Sequence, residues 1–125
     1  MRNHNHTEPP QQSHQRRAHK AIELMRQLLP LLGKIHPLIR RQDKSLADQL
    51  RRAATSVLLN LAEAEGNRAG HRQQRLHSAY GSCREVREAI FISRTWGFIN
   101  QADATKAEQT LDRVAAMTWR WMRPR

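Results

Sequence analysis

The segment SLADQLRRAATSVLLNLAEAEG, residues 45–66, carries the clearest helical pattern in the chain. Its apolar residues recur every three or four positions, which places them on one face of an α-helix. That face comprises Leu46, Leu50, Ala53, Val57 and Leu61. Ser45 and Asp48 precede the pattern in the arrangement of an N-terminal cap, and Gly66 ends it. The segment therefore predicts an amphipathic helix over residues 45–65.

The same periodicity predicts three more helices, over residues 13–35, 71–96 and 101–122. Pro37 is expected to stop the first, Gly97 the third, and Asn100 is expected to cap the fourth. The predicted core faces are Ala18, Ile22, Met25, Leu29 and Leu32 in the first helix, Ala79, Cys83, Val86, Ile90 and Ser93 in the third, and Ala107, Leu111, Val114, Thr118 and Trp121 in the fourth.

Four such helices with short connections predict an all-α fold, an antiparallel up-down-up-down four-helix bundle over residues 13–125. Few aromatic residues, five glycines and five prolines argue against a β-sandwich or barrel. Residues 1–12 are polar, contain two adjacent prolines, and are predicted to be a disordered tail.

The charge is strongly basic, with 22 Lys and Arg against 11 Asp and Glu and a net charge of +11. The excess is +6 over residues 1–44, 0 over 45–71, +3 over 72–99 and +2 over 100–125. Because the excess is spread along the chain, it favours contact with polyanions, nucleic acid first and an acidic protein or membrane surface second.

The sequence also bears on the cellular compartment. The single cysteine, Cys83, excludes an intramolecular disulfide and fits a reducing environment. There is no run of about 18 apolar residues, so no membrane span is expected. The first residues lack the apolar stretch of a signal peptide. We therefore expect a cytoplasmic protein.

Some apolar residues fall outside the predicted core faces. A second stripe on the first helix and a group on the second predict an oligomer interface formed by Leu24, Leu28, Leu31, Leu58 and Leu59, with Ile35 on the same stripe. One chain would leave such a patch exposed, and exposed apolar patches mark interfaces. The alternative is a wide core-facing arc on a curved helix.

Several motifs resemble a known family. They are the Gln-Leu-Arg-Arg-Ala run at 49–53, Ser56, the Asn-Leu-Ala-Glu run at 60–63, Gly81-Ser82, and Glu85. In this order and spacing they resemble the bacterial four-helix-bundle proteins encoded in intervening sequences of large-subunit ribosomal RNA genes. The resemblance covers roughly residues 18–121. The family usually has glycine where this chain has Ala64, which suggests a slightly longer second helix.

The resemblance implies an assembly and a partner class. Members of the family look like ring-forming homo-oligomers, typically pentamers. The accessory variability protein of diversity-generating retroelements is a basic pentameric relative that binds nucleic acid and a reverse transcriptase. By this analogy, a homopentamer with a nucleic-acid or reverse-transcriptase partner is expected.

Polar residues on the two central helices have two interpretations. Asn60 and Glu63 could face Ser82 and Glu85 as a hydrogen-bonded layer that fixes helix register, with Arg51 or Arg52 as counter-ion. Two carboxylates in a bundle could instead hold a di-metal site, but such sites use Glu-x-x-His pairs, which this chain lacks. The polar layer is favoured, and no metal or other cofactor is expected.

The sequence offers no catalytic constellation. It has no nucleophile elbow, phosphate-binding glycine loop or zinc-ligand spacing. Cys83 lies on a predicted core face without a neighbouring base. We therefore expect no catalytic residues and a protein that is not an enzyme.

Basic residues suggest a binding surface instead. On the third helix Tyr80, Arg84, Arg87 and Phe91 share one face away from the predicted core, so aromatic rings could stack on bases while guanidinium groups contact phosphates. The same residue types favour a subunit interface equally. Further basic clusters comprise Arg16, Arg17 and Lys20 near the start, Arg40, Arg41 and Lys44 in a predicted loop, and Arg120, Arg123 and Arg125 at the end.

Together these features predict a non-enzymatic, nucleic-acid-binding homo-oligomer that acts as an accessory factor. The alternatives are a protein-interaction module that docks an acidic partner or a polymerase-type enzyme, and a structural protein whose charge serves solubility.

Overall fold

The computed structural model describes the backbone of residues 10–66 and 69–122 and the side chains of residues 19–66 and 70–122. Four α-helices make up almost all of it: α1 Pro10–Gln42, α2 Lys44–Gly66, α3 Ala69–Thr95 and α4 Gln101–Met122. The described residues form no β-strand. In the same part of the chain, no helix has both the length and the apolar character that crossing a bilayer requires. The prediction of an all-α four-helix fold is confirmed.

The helices run antiparallel. Each packs against two neighbours, and α4 returns to α1, so the four close around one core. Between α2 and α3, Ser56 bonds Ser82, whereas Glu63, further along α2, pairs with Arg75, which lies earlier in α3. Contacts between α3 and α4 run in the same opposed sense. The predicted up-down-up-down order is confirmed.

The predicted core faces of α2, α3 and α4 are confirmed. Every predicted face residue of α3 and α4 is buried, and in α2 only Leu46 is half-buried rather than buried. Each buried aliphatic side chain contributes about 1.5–3 kcal/mol to stability through removal of apolar surface from water. The side chain of Ala18, predicted for the core face of α1, lies outside the described residues.

The apolar residues of α1 are arranged differently from the prediction. Leu24, Leu28 and Ile35 are buried within a single chain, and Leu31 is half-buried. The prediction that one chain leaves this stripe exposed is therefore wrong, and Leu24 and Leu28 belong to the core. The physical reason is that α2 and α4 both pack on α1 and cover a wide arc of it. Leu29, predicted to face the core, is instead 36% exposed.

The bounds of α1 also differ from the prediction. It begins at Pro10 rather than residue 13, and residues 1–9 of the predicted tail lie outside the described residues. The helix runs through Pro30 and Pro37 to Gln42, so the predicted stop at Pro37 is wrong. A proline removes one helical hydrogen bond. Ile39, beyond Pro37, is fully buried, and its burial offsets that loss.

A single residue, Asp43, separates α1 from α2. Its Oδ1 accepts a 2.9 Å hydrogen bond from the Leu46 amide, so Asp43 is the N-terminal cap of α2. The predicted cap formed by Ser45 and Asp48 is therefore wrong. Both residues lie within α2, and the predicted loop between these helices does not exist.

The junction between α3 and α4 follows the prediction. Gly97 adopts a positive φ of 77°, and the Phe98 amide donates to the Ser93 carbonyl at 2.8 Å, which ends α3 in a Schellman arrangement. Asn100 Oδ1 accepts from the Asp103 amide at 2.7 Å, so the predicted cap of α4 is confirmed. A hydrogen bond from Lys34 of α1 lowers the pKa of Asp103 and ties this cap to the bundle.

Candidate nucleic-acid interface

The surface carries more basic side chains than acidic partners for them. Ion pairs to neighbouring helices engage Lys34, Arg75, Arg87 and Arg94. Other Lys and Arg side chains are exposed and form no ion pair with a described residue: Lys20, Arg26, Arg40, Arg41, Lys44, Arg51, Arg52, Arg84, Lys106, Arg113 and Arg120. They come from all four helices, so the positive surface surrounds the bundle.

The predicted basic clusters differ in how far the structure describes them. Arg16 and Arg17 lie in α1, but their side chains are outside the described residues, as are Arg123 and Arg125. Lys20 and Arg120 are exposed, as a role in binding requires.

Arg40 and Arg41 lie in the last turn of α1 rather than in a loop, and Lys44 begins α2. The helix dipole favours cations at a C-terminus, so Arg40 and Arg41 also stabilise α1.

Two members of the predicted α3 stripe are contacts between helices. Arg87 is half-buried and binds both carboxylate oxygens of Asp112 on α4, with Nη2 and Oδ2 3.1 Å apart. This hydrogen bonding raises the pKa of Arg87. The Tyr80 ring packs on Trp119 of α4 with centroids 5.6 Å apart. The prediction placed Arg87 and Tyr80 on a face away from the core, but both are half-buried against α4, and Tyr80 packs against the core.

The other two members, Arg84 and Phe91, are exposed. The Arg94 guanidinium lies over the Phe91 ring, 4.8 Å from its centroid, and donates a 3.0 Å bond to Glu108. Arg94 thus holds the ring in place through a cation–π contact. Phe91 and Arg84 are the part of the predicted stripe that remains available to a ligand.

The predicted polar layer exists in reduced form. Ser56 and Ser82 bring their hydroxyl oxygens to 2.8 Å, and the Asn60 side-chain amide donates to the Ser56 hydroxyl and carbonyl at 3.0 and 2.9 Å. Glu63 is exposed and pairs with Arg75 at 2.8 Å, and Glu85 is also exposed. The two carboxylates are therefore not part of the layer, which is neutral and links α2 to α3.

Arg51 and Arg52, considered as counter-ions for this layer, are exposed and form no ion pair with a described residue. Their guanidinium groups are available to solvent instead. The sequence predicts Arg51 or Arg52 as a counter-ion because the polar layer is expected to hold carboxylates. Their role as surface cations on α2 is therefore not part of that prediction.

Several apolar side chains remain exposed. Leu59 is 60% exposed and Trp96 73% exposed, while Leu31 and Leu58 are half-buried. Trp96 lies one helical turn beyond Ile92, which is also exposed, on the side of α3 away from the core. This position is the signal from which the exposure of Trp96 could have been predicted.

The single cysteine is engaged in packing. Cys83 is buried, its sulfur donates to the Leu111 carbonyl at 3.4 Å, and burial raises its pKa to about 12. A thiol with that pKa stays protonated at neutral pH and is a poor nucleophile. Among the described residues no three His, Cys, Asp or Glu side chains are close enough together to hold a metal ion.

Comparison with known proteins gives one clear match. No curated protein is significantly similar to the chain. Residues 15–120, by contrast, match the profile of the 23S rRNA-intervening sequence proteins. The match spans all four helices, in agreement with the motifs on α2 and α3. The chain therefore belongs to the 23S rRNA-intervening sequence protein family.

Proposed function

We propose that the protein is a non-enzymatic nucleic-acid-binding accessory factor that works as a cytoplasmic homo-oligomer. The single observation that carries this proposal is the surplus of exposed Lys and Arg side chains that form no ion pair among the described residues. Unpaired surface cations release the condensed counterions of a nucleic acid when they replace them at the phosphates. Binding of this kind is electrostatic and tolerant of sequence.

The positions of the exposed cations on α1 and α2 support contact with an extended ligand. Arg40 and Arg41 end α1, Lys44 begins α2, and Arg51 and Arg52 follow along the same helix. Successive exposed cations along two adjoining helices suit a phosphate backbone, whose charges are regularly spaced.

Exposed apolar side chains support self-association. Leu59 on α2, one of the residues proposed for an oligomer interface, is exposed, and Leu31 and Leu58 are partly accessible. The family resemblance favours a pentameric ring. A ring would repeat the positive surface of one chain five times and strengthen its attraction for a polyanion.

A second candidate function is a protein-interaction module that docks an acidic partner or a reverse transcriptase. Trp96 favours it, because tryptophan is enriched among the residues that dominate protein interfaces. Competition separates the two candidates. RNA that displaces the protein partner and binds on its own supports the first, whereas protein binding unaffected by RNA supports the second.

Arg84→Gln tests the surface with Arg87→Gln as its matched control. Arg84 has no ion-pair partner among the described residues, so its loss should remove one phosphate contact and lower the slope of log affinity against log salt by about 1. Arg87 is already bound to Asp112, so its loss should leave that slope unchanged. Fluorescence anisotropy with single-stranded RNA measures both. Equal slopes for wild type and Arg84→Gln would show that Arg84 does not contact the RNA.

A further inference from the structure

An exposed aromatic ring lies where the C-terminal part of α4 meets α3. The Trp119 side chain is 49% exposed, and it packs on the half-buried Tyr80 ring of α3, with centroids 5.6 Å apart and ring planes at 47°. Tyr80 in turn packs against the core. The contact with Tyr80 therefore holds in place a ring of which about half is open to solvent.

Small residues surround this ring. One turn before Trp119 on α4, Ala115 is half-buried and Ala116 is exposed, and neither side chain is long enough to cover an indole ring. On α3, the exposed Gly81 follows Tyr80. Among the described residues within four positions of Trp119 on α4 or of Tyr80 on α3, no other large apolar side chain is exposed. The ring is thus a flat apolar surface that stands apart from other exposed apolar side chains.

The charged residues next to this ring along α3 and α4 are basic. Within four positions of Trp119 and of Tyr80 the sequence contains no Asp or Glu. Arg84, one turn from Tyr80, and Arg120, next to Trp119, are exposed and form no ion pair with a described residue. Guanidinium groups bind phosphate through charge-assisted hydrogen bonds. An anionic ligand at the ring would therefore meet cations, and no carboxylate from these parts of the two helices would repel it.

Trp96 has the opposite surroundings. Ile92, one turn earlier, is exposed, and Phe98, two positions later, is half-buried, so Trp96 belongs to a wider apolar surface. A second copy of this chain or another protein suits such a surface, because the centre of a protein interface is apolar and depleted of charge. Trp119 instead offers a single ring with cations beside it. That combination stacks on a base while it contacts phosphates.

We propose that one base of a bound single strand stacks on Trp119, with its flanking phosphates at Arg84 and Arg120. Stacking uses the face of a base, which every base has, so binding remains tolerant of sequence. The face is free in an unpaired, unstacked base and covered by neighbouring pairs inside a duplex, so the site favours single strands. The inference rests on the proposed nucleic-acid binding and adds a stacking contact to it.

Tryptophan fluorescence of Trp96→Leu tests the stacking with the site itself unchanged. The emission of this variant comes from Trp119 and from the buried Trp121, so a ligand can contact only the first. The protein is titrated with a single-stranded RNA and with an abasic phosphodiester strand of the same length, and anisotropy of the labelled strands measures binding separately. Because a stacked base quenches indole emission, the RNA should quench it and the abasic strand should not.

Trp119→Leu is the matched variant, since it removes the other exposed indole. Its emission comes from Trp96 and Trp121, and the RNA should not quench it more than the abasic strand does. Wild type and Trp96→Leu should bind the RNA about tenfold more tightly than the abasic strand, the effect expected of one stacked base. Trp119→Leu should bind both strands equally.

The outcomes separate the inference from the function beneath it. Binding of the RNA by Trp96→Leu without quenching overturns the stacking site and leaves electrostatic binding intact. Absence of binding to either strand overturns both. A lower oligomer mass of Trp119→Leu, with its RNA preference kept, assigns the ring to a contact with a second copy and overturns the proposal. If Trp119→Leu does not fold, the quenching measured in Trp96→Leu still decides, because that variant retains the site.

Discussion

Leu59 and Leu61 lie two positions apart on α2 and have opposite environments. Leu61 is fully buried, whereas Leu59 is 60% exposed. We expect Leu61→Ala to lower the free energy of unfolding by about 2–5 kcal/mol, because it removes apolar contacts and leaves a cavity. Leu59→Ala should change it by less than about 0.5 kcal/mol.

Chemical denaturation at one protein concentration measures both variants, since association would otherwise shift the comparison. A Leu61→Ala shift below about half a kilocalorie would show that this face of α2 does not line the core.

Arg84 and Arg87 show what sequence can predict for single surface residues. Their spacing correctly places them near each other on α3. It does not reveal that Asp112 of α4 binds Arg87, because that contact depends on how the two helices are rotated against each other. Their different roles therefore follow from tertiary packing and not from periodicity.

The backbone conformation at the end of α3 determines how α3 connects to α4. Gly97, at this end, and Gly81, inside α3, together test that conformation. Gly97 has a φ of 77°, which an L-residue adopts with strain, whereas Gly81 lies inside the helix. Gly97→Ala should destabilise the protein by about 1 kcal/mol or more. Gly81→Ala should stabilise it by up to about 1 kcal/mol, because alanine is the better helix former.

Thermal and denaturant unfolding of the two alanine variants give the sign of the change in unfolding free energy for each. Since neither Cβ meets an atom within 4 Å, steric overlap does not confuse the comparison. A stabilising effect of Gly97→Ala would contradict the left-handed conformation at the end of α3.

The four helices could be predicted from the sequence far better than the residues of the candidate nucleic-acid interface. Helix number, order and three of the four core faces follow from apolar spacing, and Gly97 and Asn100 carry their turn signals locally. The end of α1 could not be read in this way, because burial of Ile39 against the bundle outweighs the proline at position 37. Glu63 was misplaced for a similar reason, since its exposed pair with Arg75 depends on the α2–α3 register.

At the scale of the whole molecule, self-association should depend on the exposed apolar side chains. We expect sedimentation equilibrium to give a mass near five times the 14.6 kDa chain. Leu59→Glu should lower that mass, because it places a charge in the proposed interface. Thr105→Glu, on the exposed surface of α4, is the control and should leave the mass unchanged. A monomeric wild-type protein would contradict the proposed oligomer.

Exposed Lys and Arg side chains without an ion pair among the described residues occur on all four helices, and the salt dependence of nucleic-acid binding tests their role most directly. Affinity for single-stranded RNA, duplex RNA and duplex DNA should be measured from about 50 to 200 mM salt. Binding by several phosphate contacts predicts a steep linear fall of log affinity with log salt, with appreciable binding left at the upper end. Absence of binding at the lowest salt concentration would contradict the proposed function and make the net charge of +11 incidental to it.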